Sequence, residues 1–318
     1  MAFTGFLAAV AASLFVGGVV YLLGHRIGLV DRPDESLKTH ADPVVPLGGA
    51  AVLVGLHVGL AVADAFDLAL LVATVLVWAL GLVDDLRGLA PAVRLVGAGA
   101  AGLVLALMSD LPEGFGFILI WTLATVVVVN AVNLLDGIDG LAATVSIVSL
   151  GGLWWFGVVQ GVVGPHFYLV SIGAVLGFIY WNWHPAQLFL GDNGAYVLGV
   201  VLTWAALRAS PDGTAGLVAL AIIGVPLLDM TVTIARRLLA GERLVGGDRD
   251  HSYDRLMRSG MSVQVVVLVF VALQAIWSAA LLLASIGGND LLAVGVAVVL
   301  GLIVVGVAVL RRGPSTVA

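Results

Sequence analysis

The chain has 318 residues, 61% of them hydrophobic and only 11% charged, whereas a soluble globular chain is about 45–50% apolar and about 25% charged. That balance, with a mean hydropathy of +1.14, excludes a water-soluble fold and leaves lipid as the solvent. Cysteine is absent, which excludes disulfides, thiolate metal sites and cysteine nucleophiles, and a net charge of −6 with no basic tract argues against a nucleic-acid partner.

The apolar segments are continuous rather than alternating, so they read as membrane-spanning helices of about 17–25 residues and not as barrel strands. The first covers residues 3–23 and lacks the basic leader of a cleavable signal peptide. The connection after it, "GLVDRPDESLKTHADPVVPLGG", offers Lys38 and His40 as candidate phosphate contacts and breaks at Pro46 and Gly48–Gly49. Runs over 47–64 and 67–83 follow, the second ending in the adjacent carboxylates Asp84 and Asp85. Neighbours in sequence point about 100° apart on a helix, so the two are expected to do different jobs, one toward a cation and one toward substrate. Arg94 opens the run 92–109 and is a candidate phosphate partner.

The run 115–133 leads into "VNAVNLLDGIDGLAA", where Asn130, Asn133, Asp136 and Asp139 recur every three residues. A capped helix end needs one polar residue, not four. If the backbone stays helical, such residues share a face, and Gly137 and Gly140 bring backbone amides within ligand reach. Two carboxamides and two carboxylates suit a metal-bound diphosphate or the polar edges of a nucleotide. Runs over 138–159 and 166–182 precede "FLGDNGAYVLG", which sets Asp192 before the run 194–209. Mg²⁺ takes oxygen ligands and keeps several waters, so one or two carboxylates plus substrate phosphates suffice. Phe189 offers an aromatic face to a base. After the run 215–235 comes a large loop, 236–262, with Arg249, His251, Tyr253 and Arg255, whose Arg and His are expected to complement phosphate oxygens. Runs over 263–286 and 290–310 complete about eleven spans.

All 14 Lys and Arg except Arg208 lie in or beside loops on one face of this arrangement. The positive-inside rule makes that face cytoplasmic and puts the N-terminus outside. The aspartate groups fall at the same cytoplasmic ends. Transporter sites tend to sit at the bilayer midplane between repeated halves; here the acids follow one rim and no repeat is visible, so a transporter or lipid flippase is the weaker reading. The remaining histidines, His184 among them, read as structural or interfacial.

The order of these motifs resembles the polyprenyl-phosphate N-acetylhexosamine-1-phosphate transferase family, which includes the phospho-MurNAc-pentapeptide transferases. The resemblance runs through D-x-P…H…P-x-G-G at Asp31–Gly49, Asp84–Asp85, N-x-x-N-x-x-D-G-x-D-G at Asn130–Gly140, F-x-G-D at Phe189–Asp192 and the His-containing loop at 248–256. It implies one all-α integral membrane domain over residues 1–318, multi-pass in the plasma membrane, with its active site in a cytoplasmic cleft. It implies Mg²⁺ dependence (Mn²⁺ as the alternative), a UDP-N-acetylhexosamine donor, a polyprenyl phosphate acceptor within the membrane lipid, and by analogy a homodimer.

Carried over by position, Asp192 is the metal ligand, and Asp84, Asp85, Asp139 and His251 serve the catalytic centre. Lys38, His40, Arg94, Asn130, Asn133, Asp136, Phe189 and Arg249 bind substrate, with Phe189 stacking on uracil. Many relatives carry two or three neighbouring histidines where this chain reads "HSYDRL". That departure favours UDP-GlcNAc over the MurNAc-pentapeptide donor. The implied reaction is attack of the lipid phosphate on the β-phosphorus of the UDP-sugar with loss of UMP.

Overall fold

The computed structural model describes residues 1–31, 43–109, 114–162, 164, 166–210, 212–242 and 250–310, with side chains through residue 306. The described chain is helical: α1 (Ala2–Ile27), α2 (Gly49–Val62), α3 (Leu68–Arg87), α4 (Pro91–Met108), α5 (Phe115–Leu135), α6 (Leu141–Val159), α7 (His166–Asn182), α8 (Gly191–Arg208), α9 (Gly213–Ile222), α10 (Gly224–Ala240), α11 (Ser252–Arg258), α12 (Val263–Ser285) and α13 (Asp290–Leu310). Extended pairing among these residues is limited to two isolated bridges, Asp31 with Val44 and Val45 with Leu188.

Each apolar run of the sequence falls on helix, because residues that must avoid leaving backbone amides bare in lipid close them internally. By length and composition, α1, α3, α4, α5, α6 and α12 can each cross a membrane, and α9 with α10 makes a seventh crossing if the bent pair is one span. The protein is therefore a polytopic membrane protein. Helices α2 and α7 are apolar but shorter, and α13 is apolar throughout Asp290–Gly306.

The ninth run is not one helix. It breaks between Ile222 and Gly224 and bends by 77°. The freed backbone groups are met from α12: Gln274 Nε2 donates to the Ile222 carbonyl at 2.6 Å, Gln274 Oε1 accepts from Val225 N–H at 2.9 Å, and Trp277 Nε1 donates to the Ala221 carbonyl at 2.7 Å. Gly224 lets the Trp277 indole sit where a Cβ would stand, 2.1 Å from Nε1. Pro226, in the first turn of α10, gives up no needed donor. Within 236–262, α10 continues to Ala240 and the short α11 occupies Ser252–Arg258.

Helix α8 is the hub. Every residue from Asn193 to Leu207 is buried, and α2, α3, α4, α5, α6, α7 and α9 all touch it. Small residues permit this closeness, as expected where helices associate in lipid without a hydrophobic drive. At Gly199 an added Cβ would fall 2.5 Å from Val129 Cα of α5, and at Gly81 the same distance from the Asn193 backbone. The hub's N-terminus, with Asp192 and Asn193, is thereby held against the ends of its neighbours.

Candidate active site

The site forms where five interhelical connections meet. A cavity of about 470 Å³ is lined by Asp31 and Pro46 from the α1–α2 connection, Asp85 at the end of α3, Asn133 to Asp139 from the end of α5, Asn182 to Asp192 between α7 and α8, and Met257 and Val263 around α11 and α12. The α5–α6 turn is set by glycines. Helix α5 ends at Leu135, and Gly140 takes φ +77° as the N-cap of α6, a conformation costly for other residues. Asn182 ties this turn to the α7–α8 segment, accepting from Gly140 N–H at 3.0 Å and donating to the Leu188 carbonyl at 2.9 Å.

The adjacent carboxylates of α3 part company, as their angular separation requires. Asp85 faces the cavity. Its Oδ1 accepts the backbone N–H of Asp192 at 2.9 Å, and its Oδ2 accepts Asn193 N–H at 3.1 Å and Asn193 Nδ2 at 2.6 Å. It caps α8 from a different helix, and α8 has no side-chain cap of its own. Asp84 is buried behind the site, where its oxygens accept Leu89 N–H at 2.7 Å and the Tyr196 hydroxyl at 2.7 Å and pair with Arg94 Nε at 2.8 Å. Arg94 also donates to the Leu89 carbonyl through Nε and Nη2. Asp84 and Arg94 thus brace the α3–α4 hairpin and do not line the cavity.

The three-residue repeat is divided in the same way. Asn133 Nδ2 donates to Asp192 Oδ1 at 2.5 Å, and Asp136 and Asp139 line the cavity with it. Asn130 instead turns back to donate to the Val126 carbonyl of its own helix at 2.7 Å and lies off the cavity. Asp139 Oδ2 contacts His184 Nδ1 at 2.7 Å and accepts Ala186 N–H at 3.0 Å. Phe189 is on the cavity wall beside Asp192.

His251 is placed behind the wall. It is buried, with Nδ1 3.0 Å from Asp229 Oδ2 and 3.4 Å from Thr233 Oγ1. Its ring stacks on Tyr253 with centroids 5.1 Å apart and planes inclined by 2°. The Tyr253 hydroxyl donates to the Leu134 carbonyl at 3.4 Å. Asp250 contacts Arg236, Arg255 and Arg258 at the start of α11. Burial pushes its carboxyl upward, but the Arg255 and Arg258 hydrogen bonds outweigh that and hold it below the usual range. Lys38, His40 and Arg249 lie outside the described residues.

Asn182 and His184 line the cavity although the motif pattern did not single them out, and Asp31, which opens the D-x-P motif, lines it too. The available signal was position: Asn182 and His184 stand just ahead of Phe189–Asp192 in "WNWHPAQLFLGD".

Five aspartates share this space. Burial first, and then the charges of Asp192, Asp85 and Asp139, push the Asp136 carboxyl well above its ordinary value. Among the described lining residues, the five aspartates stand with a single basic side chain, His184. Such an all-oxygen set fits a hard divalent cation. Among the described residues no group of three or more His, Asp or Glu side chains is placed to hold a metal ion by itself; Mg²⁺ commonly takes one or two carboxylates and fills its shell with water and phosphate oxygens.

A family model described as Glycosyl transferase family 4 matches residues 68–210, a stretch that holds Asp85, Asn133, Asp136, Asp139 and Asp192. The chain is 30% identical over 295 residues to the probable undecaprenyl-phosphate N-acetylglucosaminyl 1-phosphate transferase of Bacillus subtilis (strain 168), with 86% of this chain and 82% of that protein covered. It is 29% identical over 370 residues to the decaprenyl-phosphate N-acetylglucosaminephosphotransferase of Mycolicibacterium smegmatis, covering 99% and 90%. It is 31% identical over 291 residues to the undecaprenyl-phosphate alpha-N-acetylglucosaminyl 1-phosphate transferase of Escherichia coli (strain K12), covering 82% and 76%.

Proposed function

This chain belongs to glycosyl transferase family 4, the polyprenyl-phosphate N-acetylglucosaminyl 1-phosphate transferases, and we propose that it moves N-acetylglucosamine 1-phosphate from UDP-N-acetylglucosamine to a polyprenyl phosphate, releasing UMP. The observation that carries the reading is the convergence of five connections on one cavity lined by Asp85, Asn133, Asp136, Asp139, Phe189 and Asp192.

Phosphoryl transfer is mostly positioning and neutralisation of charge spread over phosphoryl oxygens. Asp192 is the residue that would hold Mg²⁺ (or Mn²⁺) beside the donor's diphosphate. When bound, that ion offsets the repulsion between two anionic reactants and polarises the phosphoryl group. Asp85 does two things: it fixes the start of α8, so that Asp192 keeps its aim, and it orients the acceptor phosphate. Asn133 holds the Asp192 carboxylate, while Asp136 and Asn133 meet the nucleotide and Phe189 lies against the uracil. Asp84 and Arg94 keep the α3–α4 hairpin in place, and His251 keeps α11 on α10; each acts through its neighbours. Lys38, His40 and Arg249 are phosphate contacts by sequence motif.

The membrane arrangement in this reading is eleven crossings in the plasma membrane, N-terminus outside, with the cavity at the cytoplasmic surface. The position of 13 of the 14 basic residues on the loops of one face supports it. A homodimer follows only by analogy.

The test is direct. Purified protein in lipid nanodiscs, given radiolabelled UDP-GlcNAc, Mg²⁺ and undecaprenyl phosphate, is expected to form lipid-linked sugar diphosphate and one UMP per product. Absence of lipid product with every UDP-N-acetylhexosamine would overturn the reading.

A further inference from the structure

The cavity carries five aspartates and, among the described lining residues, a single basic side chain, His184. Its Nδ1 stands 2.7 Å from Asp139 Oδ2, and that oxygen also accepts Ala186 N–H at 3.0 Å. A carboxylate only accepts, so the proton in this contact rests on Nδ1. Asp139 is itself fixed by the Asp136–Gly140 turn and by the Ala186 amide, so the ring plane is held from two elements. The imidazole is 38% exposed. With Nδ1 committed to Asp139, Nε2 is the ring nitrogen left to a ligand of the cavity that His184 lines.

We propose that His184 is a substrate-binding residue whose Nε2, oriented by Asp139, donates a hydrogen bond to a phosphate oxygen of the sugar diphosphate. The inference rests on the transferase reading above and names a contact within it. A diphosphate entering a wall of carboxylates needs fixed donors as well as a cation. Set between a carboxylate and a phosphate oxygen, both ring nitrogens donate, and the ring bridges the two anions. Asp139 then acts as a positioning residue, in the manner of carboxylates that fix the tautomer and aim of functional histidines.

Equilibrium binding to the full chain in nanodiscs tests this with three probes: UDP-GlcNAc and UDP, each with Mg²⁺, and uridine. The variant is His184→Asn, whose amide still reaches Asp139 but leaves nothing where Nε2 stood. Its thermal midpoint is expected to match that of the parent, while affinity for UDP-GlcNAc and UDP falls about tenfold, the loss expected for one charge-assisted hydrogen bond. Uridine, which lacks the phosphates, binds the two proteins alike. Unchanged affinity for UDP, or an equal loss for uridine, overturns the proposal. If His184→Asn does not fold, His184→Gln carries an amide out to the position of Nε2 and is expected to bind UDP within about threefold of the parent; a tenfold loss there overturns it. Failure of the parent to make lipid-linked sugar would remove the transferase reading, and the UDP comparison would still decide the role of His184.

Discussion

Asp85, in the last turn of α3, accepts the backbone N–H of Asp192 in the first turn of α8 at 2.9 Å, across 107 residues of sequence. The carboxylate serves as the missing cap of the buried hub helix, and two further donors from Asn193 complete it. The cap and the cavity therefore share one residue. Losing a helix cap costs about 1 kcal/mol, and hydrogen bonds to a charged acceptor contribute about 1.5–3 kcal/mol. Asp85→Asn is expected to lower the thermal midpoint and to cut turnover at least 100-fold, on the order of a lost general base or orienting group. Nanodisc thermal denaturation beside the radiolabel assay measures both, and a variant with normal turnover and a normal midpoint would remove Asp85 from both roles.

Asp84, one residue earlier, should behave differently. It is buried and bound to Arg94, Tyr196 and the Leu89 amide, so Asp84→Asn leaves Arg94 without its counter-charge. The expected result is a loss of stability larger than that of an exposed ion pair, which is about 0–1 kcal/mol. The KM for UDP-GlcNAc should stay near the parent value. The double variant Asp84→Asn with Arg94→Ala should lose less than the sum of the singles, because the two share one interaction. Additive losses in a thermal double-mutant cycle would show that the brace has no energetic coupling.

What the sequence revealed follows from what lipid and glycine enforce. Span length and continuous apolarity placed helix under each run, and Gly137 with Gly140 marked the turn that carries Asp136 and Asp139. The phase of the repeat was less legible. A three-residue step falls about 60° short of a full turn, so Asn130 is carried about 120° from the direction of a residue at 136 and ends on its own helix. Partner choice was not legible at all. Nothing local to 215–235 says that Gln274, on α12, will satisfy a break at Ile223. Nothing local to the loop at 248–256 says that His251 will turn to Asp229 on α10. Both contacts are made between elements far apart in the chain, and spacing encodes only the phase within one element.

Asp136 yields a prediction with a definite pH sign. Burial, reinforced by Asp192, Asp85 and Asp139, holds its carboxyl well above the ordinary range. The folded protein therefore keeps a proton that the unfolded chain releases. The destabilisation is absent below about pH 4, where both states are protonated, and grows as pH rises toward the folded value. Asp136→Asn removes the ionisable group while keeping its shape. The variant is expected to melt higher than the parent at pH 7 without Mg²⁺, to show no such gain near pH 4, and to lose turnover. Equal midpoints at pH 7, or a gain that is largest in acid, would contradict this account of the charge crowding.

The wall behind the Asp136–Gly140 turn supplies a last prediction. A Cβ on Gly137 would stand 1.9 Å from the Tyr253 hydroxyl oxygen and 2.3 Å from its Cζ, too close for any real contact. Tyr253 cannot easily yield, because it is buried, stacked on His251 and bonded to the Leu134 carbonyl. In Gly137→Ala the turn itself must shift, carrying Asp136 and Asp139 with it. Misplacement by about 1 Å can cost on the order of 100-fold in rate, so turnover should fall steeply while the protein still inserts and binds detergent normally. If collision is the cause, Tyr253→Ala added to Gly137→Ala should recover part of the activity, although Tyr253→Ala alone opens a void and lowers stability. The decisive comparison is kcat of the double variant against Gly137→Ala. A double variant no faster than Gly137→Ala would mean that Gly137 matters for direct approach of substrate, and not for the room it gives Tyr253.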